Sequence, residues 1–241
     1  MFSRSITGTT GAAALAFALA ATLPASAAFA QTDAEPGTYV VVRAGPQLDA
    51  DLHMKGGDIT SPSTFQKNTD FKTGLVGEIG LGYDLGGFRF EGTVGYDTAG
   101  ANLEKLASKQ MAASGRLKTL NLGISGYYDL NLGGGLRPYV GGGIGVARTT
   151  VNLSRISAVA PTAGTGSTLR GSDWGFRWHL DAGAGFALSP ATVLEVGARY
   201  SNVNRLSIDG TIPNATGAAV ARQYKPRATS TALLVGLRQK F

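Results

Sequence analysis

Between residues 173 and 188 the chain reads DWGFRWHLDAGAGFAL. Trp174, Phe176, Trp178, Leu180, Ala182, Ala184, Phe186 and Leu188 fall on one side of a period-two repeat, and Gly175, Arg177, His179, Asp181, Gly183 and Gly185 on the other. Successive side chains of an extended chain point to opposite sides, so such a run predicts a strand with one apolar face. Seven further segments repeat the pattern: 38–45, 73–84, 88–97, 119–130, 136–148, 193–200 and 230–241. Most are close to the ~9 to 11 residues a tilted strand needs to cross a bilayer. Their connections alternate in length. Residues 85–87, 131–135 and 189–192 are tight turns, whereas 46–72, 98–118, 149–172 and 201–229 are long, polar and rich in Gly, Ser, Thr and Asn. The pattern predicts an all-β fold: an eight-stranded antiparallel up-and-down transmembrane β-barrel with short turns at one end and four long loops at the other.

The aromatics divide the same way. Tyr83, Phe88, Tyr128, Phe186 and Phe241 fall near the turn ends of their strands, and Tyr96, Trp174, Phe176 and Tyr200 near the loop ends, all on the apolar side. Two such belts are expected where a barrel meets the two membrane interfaces. A soluble barrel of lipocalin type is the rival; in it the apolar faces turn inward.

Glycine, 35 of 241 residues, is about double its usual share of ~7%. Gly80, Gly82, Gly141, Gly143, Gly145, Gly183 and Gly185 lie on the polar faces. An eight-stranded barrel has room inside only for packed side chains, so these glycines are expected to leave space for long charged groups. Those groups form an expected lumen network of Glu78, Arg89, Glu91, Arg137, Arg177, His179, Asp181, Glu195, Arg199 and Arg238. Either a salt-bridged plug or a narrow gated pore follows from such a set.

Other chemistry is sparse. The absence of Cys excludes disulfides and thiolate metal sites, and His53 is the only other histidine, so no metal or cofactor is expected. His179 and Asp181 share a face, as a base and its orienting carboxylate do. His179 points inward, however, and no serine is identified as its partner, so no catalytic residue is assigned. The Gly143-Ile144-Gly145 run is followed by no helix and no G-x-x-x-x-G-K-[ST] pattern, which excludes a phosphate loop. The formal charge of +6 resides largely in or beside the long segments, at Lys67, Lys72, Lys105, Lys109, Arg116, Lys118, Arg155, Arg170, Arg222, Lys225 and Arg227. It suits ordinary solvated loops or contact with lipopolysaccharide phosphates.

The first thirty residues hold one charge, Arg4, an apolar core AAALAFALAATL and the small-x-small run Ala28-Phe29-Ala30. They read as a cleaved signal peptide, 1–30, ahead of a barrel domain, 31–241. Export argues against a nucleic-acid partner.

LRPYVGGGIGVAR, VLEVGARY and the terminal LLVGLRQKF resemble the small outer-membrane β-barrel family of OmpA-type and opacity-type surface proteins, across residues 38–241. The resemblance implies a Gram-negative-type outer membrane, with membrane lipid and lipopolysaccharide as neighbours. It also implies a C-terminal signal for the barrel-insertion machinery, carried by Leu233, Val235, Gly236, Leu237 and Phe241. No periplasmic peptidoglycan-binding domain is expected. The expected role is structural or surface interaction through the four loops, with a possible host or cell-surface ligand. A porin-like channel for small solutes is the alternative, and a lipid-modifying enzyme a more distant one.

Overall fold

The computed structural model describes residues 36–53, 68–70, 73–100, 111–130, 132, 135–158, 167–213 and 219–241. The expected signal peptide with Ala28 and Ala30, and the loop cations Lys67, Lys72, Lys105, Lys109 and Arg155, lie outside these residues. The described residues form eleven strands in order. They are β1 (Gly37–His53), β2 (Asn68–Asp70), β3 (Gly74–Asp84), β4 (Phe88–Gly100), β5 (Met111–Asp129), β6 (Leu136–Ala158), β7 (Ser167–Ala187), β8 (Thr192–Asn204), β9 (Ile208–Pro213), β10 (Ala219–Tyr224) and β11 (Arg227–Lys240).

Eight of them close a barrel. Neighbours pair antiparallel from β1 through β3, β4, β5, β6, β7, β8 and β11, and β11 returns to β1. The remaining three dress the loop end: β2 pairs with β1, and the β9–β10 hairpin extends the sheet from β7. Following paired residues once round the wall, from Gly37 through Asp84, Arg89, Tyr127, Gly141, Asp181, Arg199 and Ala232, returns to β1 at Gln47. That displacement along β1 is the stagger a closed sheet of tilted strands requires.

The apolar faces point outward, as expected. Leu81 is 69% exposed and Ile124 66%, while the charged Arg89 and Glu195 on the other face are 0% and 1%. The turn end is tight: Leu85 N donates to Phe88 O at 2.8 Å, and Gly86 and Gly87 take φ of 85° and 133°, angles that favour glycine.

The strands run well beyond their expected ends. β6 has 23 residues and β7 has 21, about twice a bilayer crossing, so parts of the segments read as long loops are strand. In these extensions the polarity inverts. Arg116, Lys118, Arg148, Thr150, Asn152, Arg170 and Ser172 face outward, while Leu117, Val151, Leu153 and Leu169 face inward and are buried. The inward groups pack with Leu52, Val203, Leu206, Ile208 and Tyr224 as one apolar cluster across the loop end. The β1 register also shifts between Gln47 and Asp49, which puts Ala50 and Leu52 inside.

Glycine makes the wall thin where strands approach closely. A Cβ on Gly145 would lie 2.2 Å from the Leu122 carbonyl oxygen and 2.7 Å from the Gly123 Cα, both backbone atoms without freedom to move. On the outer face Gly92 has nothing within 4 Å of its Cβ position. Gly145→Val is therefore expected to abolish the heat-modifiable gel band of the closed barrel. Gly92→Val is expected to refold in the same yield as the parent chain. Equal yields would show that strand spacing does not depend on Gly145.

Candidate functional site

The turn-end half of the lumen is filled by an ionic network centred on Arg43 of β1, a residue not among the expected lumen charges. Arg43 grips Glu91 through two bonds, 2.6 and 2.8 Å, and donates to Glu195 at 2.9 and 3.1 Å and to Glu78 at 3.1 Å. Arg199, on β8, donates to Glu78 at 2.6 Å and to Asp181 at 2.7 and 2.8 Å. Arg89 contacts Glu91, Glu195 and Asp129 at 3.1, 3.1 and 2.8 Å. Arg238 lies 3.3 Å from Glu195 and 3.5 Å from Asp129. Seven strands supply these groups, so the network ties the wall together across its full circumference. Paired guanidinium and carboxylate planes give these buried charges the partners that burial demands.

Three tyrosines complete the packing. Tyr39 donates to Glu91 at 2.9 Å and Tyr127 to Asp181 at 2.9 Å. Arg89 sits 4.8 Å from the Tyr127 ring centroid and 5.4 Å from that of Tyr139, and Arg238 5.3 Å from that of Tyr39. Those rings rest on glycine. A Cβ at Gly82 would come 2.3 Å from Tyr39, at Gly141 2.2 Å from Tyr127, and at Gly197 2.4 Å from the Tyr139 hydroxyl. The expectation that lumen glycines make space for charged groups is thus refined: at these positions the space is taken by aromatic rings, over which the arginines stack.

Of the ten expected lumen residues, Glu78, Arg89, Glu91, Arg177, His179, Asp181, Glu195, Arg199 and Arg238 are buried inside. Arg137 is half-buried near the turn end and joins no ion pair among the described residues. Arg43, Asp84 and Asp129 also belong to the network; Asp84 and Asp129 lie opposite the apolar faces of 73–84 and 119–130, whereas Arg43 sits in a run that is apolar on both sides.

His179 has the partner the sequence did not reveal. Its Nε2 lies 3.1 Å from Ser125 Oγ and 3.8 Å from Asp181 Oδ2, and its Nδ1 lies 3.1 Å from Arg177 NH1. Gly143 leaves the room: a Cβ there would meet both Ser125 Oγ and His179 Cε1. A guanidinium only donates, so Nδ1 accepts and the ring proton belongs on Nε2, directed at Ser125. A base that activates a serine needs the opposite tautomer and a carboxylate on Nδ1. In this arrangement the Nε2–H is directed at Ser125 Oγ and Nε2 does not stand ready to take its proton.

Beyond the network, Thr93, Asp97, Thr119, Asn121, Thr149 and Asn202 form a buried polar layer. Asp97 Oδ1, Asn121 Oδ1, Thr149 Oγ1 and Arg177 Nε have no protein partner there, so bound water is the natural complement. The apolar cluster of the loop end closes over this layer. No group of three or more His, Cys, Asp or Glu residues converges as a metal site among the described residues.

Removing one member of a buried ion network strands its partners, at a cost of about 3 kcal/mol or more. Arg43→Met is expected to lower the free energy of unfolding, measured by urea titration from lipid vesicles with tryptophan fluorescence as the readout, by that amount. Arg137→Met is expected to change it by less than about 1 kcal/mol. Combining Arg199→Met with Glu78→Met should cost clearly less than the two single changes summed; strict additivity would mean that the pair does not interact.

The sequence family described as "Outer membrane protein beta-barrel domain" matches residues 13–232. Among curated proteins, an uncharacterized protein of Brucella abortus is 38% identical over 79 residues, which is 32% of this chain and 28% of that protein. Outer membrane protein PagN of Salmonella typhimurium is 29% identical over 85 residues, 35% of this chain and 34% of PagN. The chain thus spans about a third or less of the length of these curated relatives. Among solved structures, Neisserial surface protein A superposes with a TM-score of 0.49 at 19% identity, covering 85% of this chain and 97% of that one. The outer membrane protein AlkL gives 0.46 at 16%, covering 91% and 98%. Matched along nearly its whole length and closed by eight antiparallel strands, the chain belongs to the outer membrane protein beta-barrel domain family and is a protein of the Gram-negative outer membrane.

Proposed function

We propose that the protein is a closed, non-conducting barrel whose role is structural and surface-directed, with the turn end in the periplasm and the loop end outside. The observation that carries this reading is the double filling of the lumen. Arg43, Arg89, Arg199 and Arg238 are interlocked with carboxylates at one level, and an apolar cluster spans the loop end at another. A pore needs a continuous wet path, and both fillings oppose one. The polar layer around Asp97 and Asn121 favours the alternative, a narrow pore, only over part of the length. A lipid-modifying or hydrolytic role is disfavoured by the His179 tautomer. The extensions of β5, β6 and β7 continue as a paired ribbon beyond the apolar belt, which suits presentation of loops to another surface.

The mature chain is proposed to begin at Gln31, after removal of residues 1–30, and to reach the insertion machinery through Leu233, Val235, Gly236, Leu237 and Phe241. The first, second, fourth and fifth of these are the outward-facing apolar groups of β11 and the terminal aromatic.

Planar-bilayer recording of the purified mature protein is expected to show no steady conductance steps, and regular steps would establish the pore instead. N-terminal sequencing of protein from membranes is expected to start at Gln31; a start at Met1 would remove the signal-peptide assignment.

A further inference from the structure

Arg205, Leu206 and Ser207 join β8 to β9, and instead of arching away from the barrel they fold back over its mouth. Leu206 and Ile208 are each 1% exposed and belong to the apolar cluster at the loop end. Two glycines on the inward face of β7 seat them. A Cβ on Gly175 would lie 3.0 Å from Leu206 Cδ2, and one on Gly171 would lie 3.2 Å from Ile208 Cγ2. No backbone–backbone hydrogen bond ties Arg205, Leu206 or Ser207 to the rest of the described chain. The anchor is a side chain. Asp173 of β7 accepts from Ser207 N at 2.7 Å through one oxygen and from Trp174 N at 2.8 Å through the other. Arg205 takes a φ of 62°, the one positive value at a non-glycine among the described residues. That angle brings Cβ too close to the following carbonyl oxygen, so the folded-back segment stores strain at its first residue.

The segment covers the buried polar layer. Down the inward face of β5 from the loop end, Leu117 belongs to the apolar cluster, Thr119 and Asn121 to the polar layer, and Ser125 to the level of the ionic network, with its Oγ 3.1 Å from His179 Nε2. Asp97 accepts from Asn121 Nδ2 at 3.5 Å and Arg177 donates to Ser201 Oγ at 3.1 Å, yet neither joins an ion pair among the described residues. Asp97 Oδ1, Asn121 Oδ1, Thr149 Oγ1 and Arg177 Nε are buried without a protein partner. Opposite charges left apart in one enclosure call for a guest that donates at one end and accepts at the other. Water does both, and so does a small dipolar solute. The interlocked ion pairs close the turn end, which leaves the loop end, past Leu206 and Ile208, as the way in.

We propose that residues 204–208 are a hinged cap over this polar chamber. The cap swings about Arg205 and is latched by Asp173. When it opens, Asp97, Asn121, Thr149 and Arg177 meet water and small dipolar solutes from the loop side, while the ionic level stays shut. Few groups set the balance. Closure buries Leu206 and Ile208 and makes the Asp173 bond; opening relaxes Arg205 and hands Ser207 N to water. The cap goes beyond the closed barrel proposed above, because it makes the outer filling movable and the inner one fixed. The lumen is then a blind vestibule with a lid, and not a pore.

The chain has no cysteine, so single introduced thiols report access. N121C places one in the polar layer and S125C places one at the ionic level. Each is reacted with a small water-soluble methanethiosulfonate in the mature barrel refolded into lipid vesicles, with closure verified by gel shift. In the parent background N121C is expected to react slowly and S125C not at all. Asp173→Ala is expected to speed N121C at least about tenfold, as loss of a charged acceptor from two backbone donors implies, and to leave S125C unreactive. Arg205→Gly is expected to slow N121C severalfold, because glycine carries no strain at that φ. If D173A does not refold, D173N takes its place with a smaller acceleration, since it keeps one acceptor oxygen. An N121C rate unchanged by the Asp173 variant, a faster rate with R205G, or N121C and S125C accelerating together would each overturn the cap, the last because it reports general loosening. The two readings fail separately. Reaction of S125C in the parent background would end the closed ionic level, whereas an unchanged N121C rate with S125C silent would end the cap alone.

Discussion

A guanidinium enclosed in a cylinder of eight strands must find carboxylates within the cylinder, because neither bulk water nor lipid is there to solvate it. Arg43 meets that constraint through Glu78, Glu91 and Glu195, which stand on three different strands. Much of the remaining architecture follows. The carboxylates must come from inward positions, so each strand keeps its charge on one parity and its apolar groups on the other. The arginines must approach from opposite walls, so the wall beneath the tyrosine rings is built from Gly82, Gly141, Gly183 and Gly197. The strand PYVGGGIGV is therefore coherent: its odd glycines floor the lumen, while Val140, Ile144 and Val146 face the membrane.

The parity rule holds only where lipid surrounds the barrel. Above Trp174 and Leu120 the same strands continue, yet leucine and valine turn inward and arginine, lysine and serine turn outward. The surroundings there are water, and the ordinary preference for an apolar interior returns. The change from Val146 to Arg148 on the outer face, and to Val151 and Leu153 on the inner, therefore marks the membrane boundary at the loop end. It also explains how one lumen contains an ionic half and a greasy half, separated by a polar layer at Asp97, Asn121 and Thr149.

That inversion decided what the sequence could reveal. The eight strands, their order and the outward direction of Leu122, Trp174 and Val196 were legible, since a constant period with a constant apolar side leaves little freedom. Residues 149–153 kept the period but exchanged sides, and so read as the start of a loop. The inward charges were legible wherever the alternation was strict, as at Arg177, His179 and Asp181. Arg43 escaped notice because TYVVVRAG is apolar on both faces around it. The Ser125–His179 contact was not legible at all, since it depends on β5 and β7 facing one another across β6 where Gly143 thins the wall.

The account stands on the direction of the apolar face between the two aromatic belts. Nitroxide labels at Leu122, which is 56% exposed, and at its inward neighbour Asn121, which is 2%, measure it directly by power-saturation electron paramagnetic resonance in lipid vesicles. The account predicts that the label at 122 collides with dissolved oxygen and is shielded from a water-soluble nickel chelate, and that the label at 121 is shielded from both. Free access of the chelate to position 122, with oxygen accessibility no higher there than at 121, would contradict it.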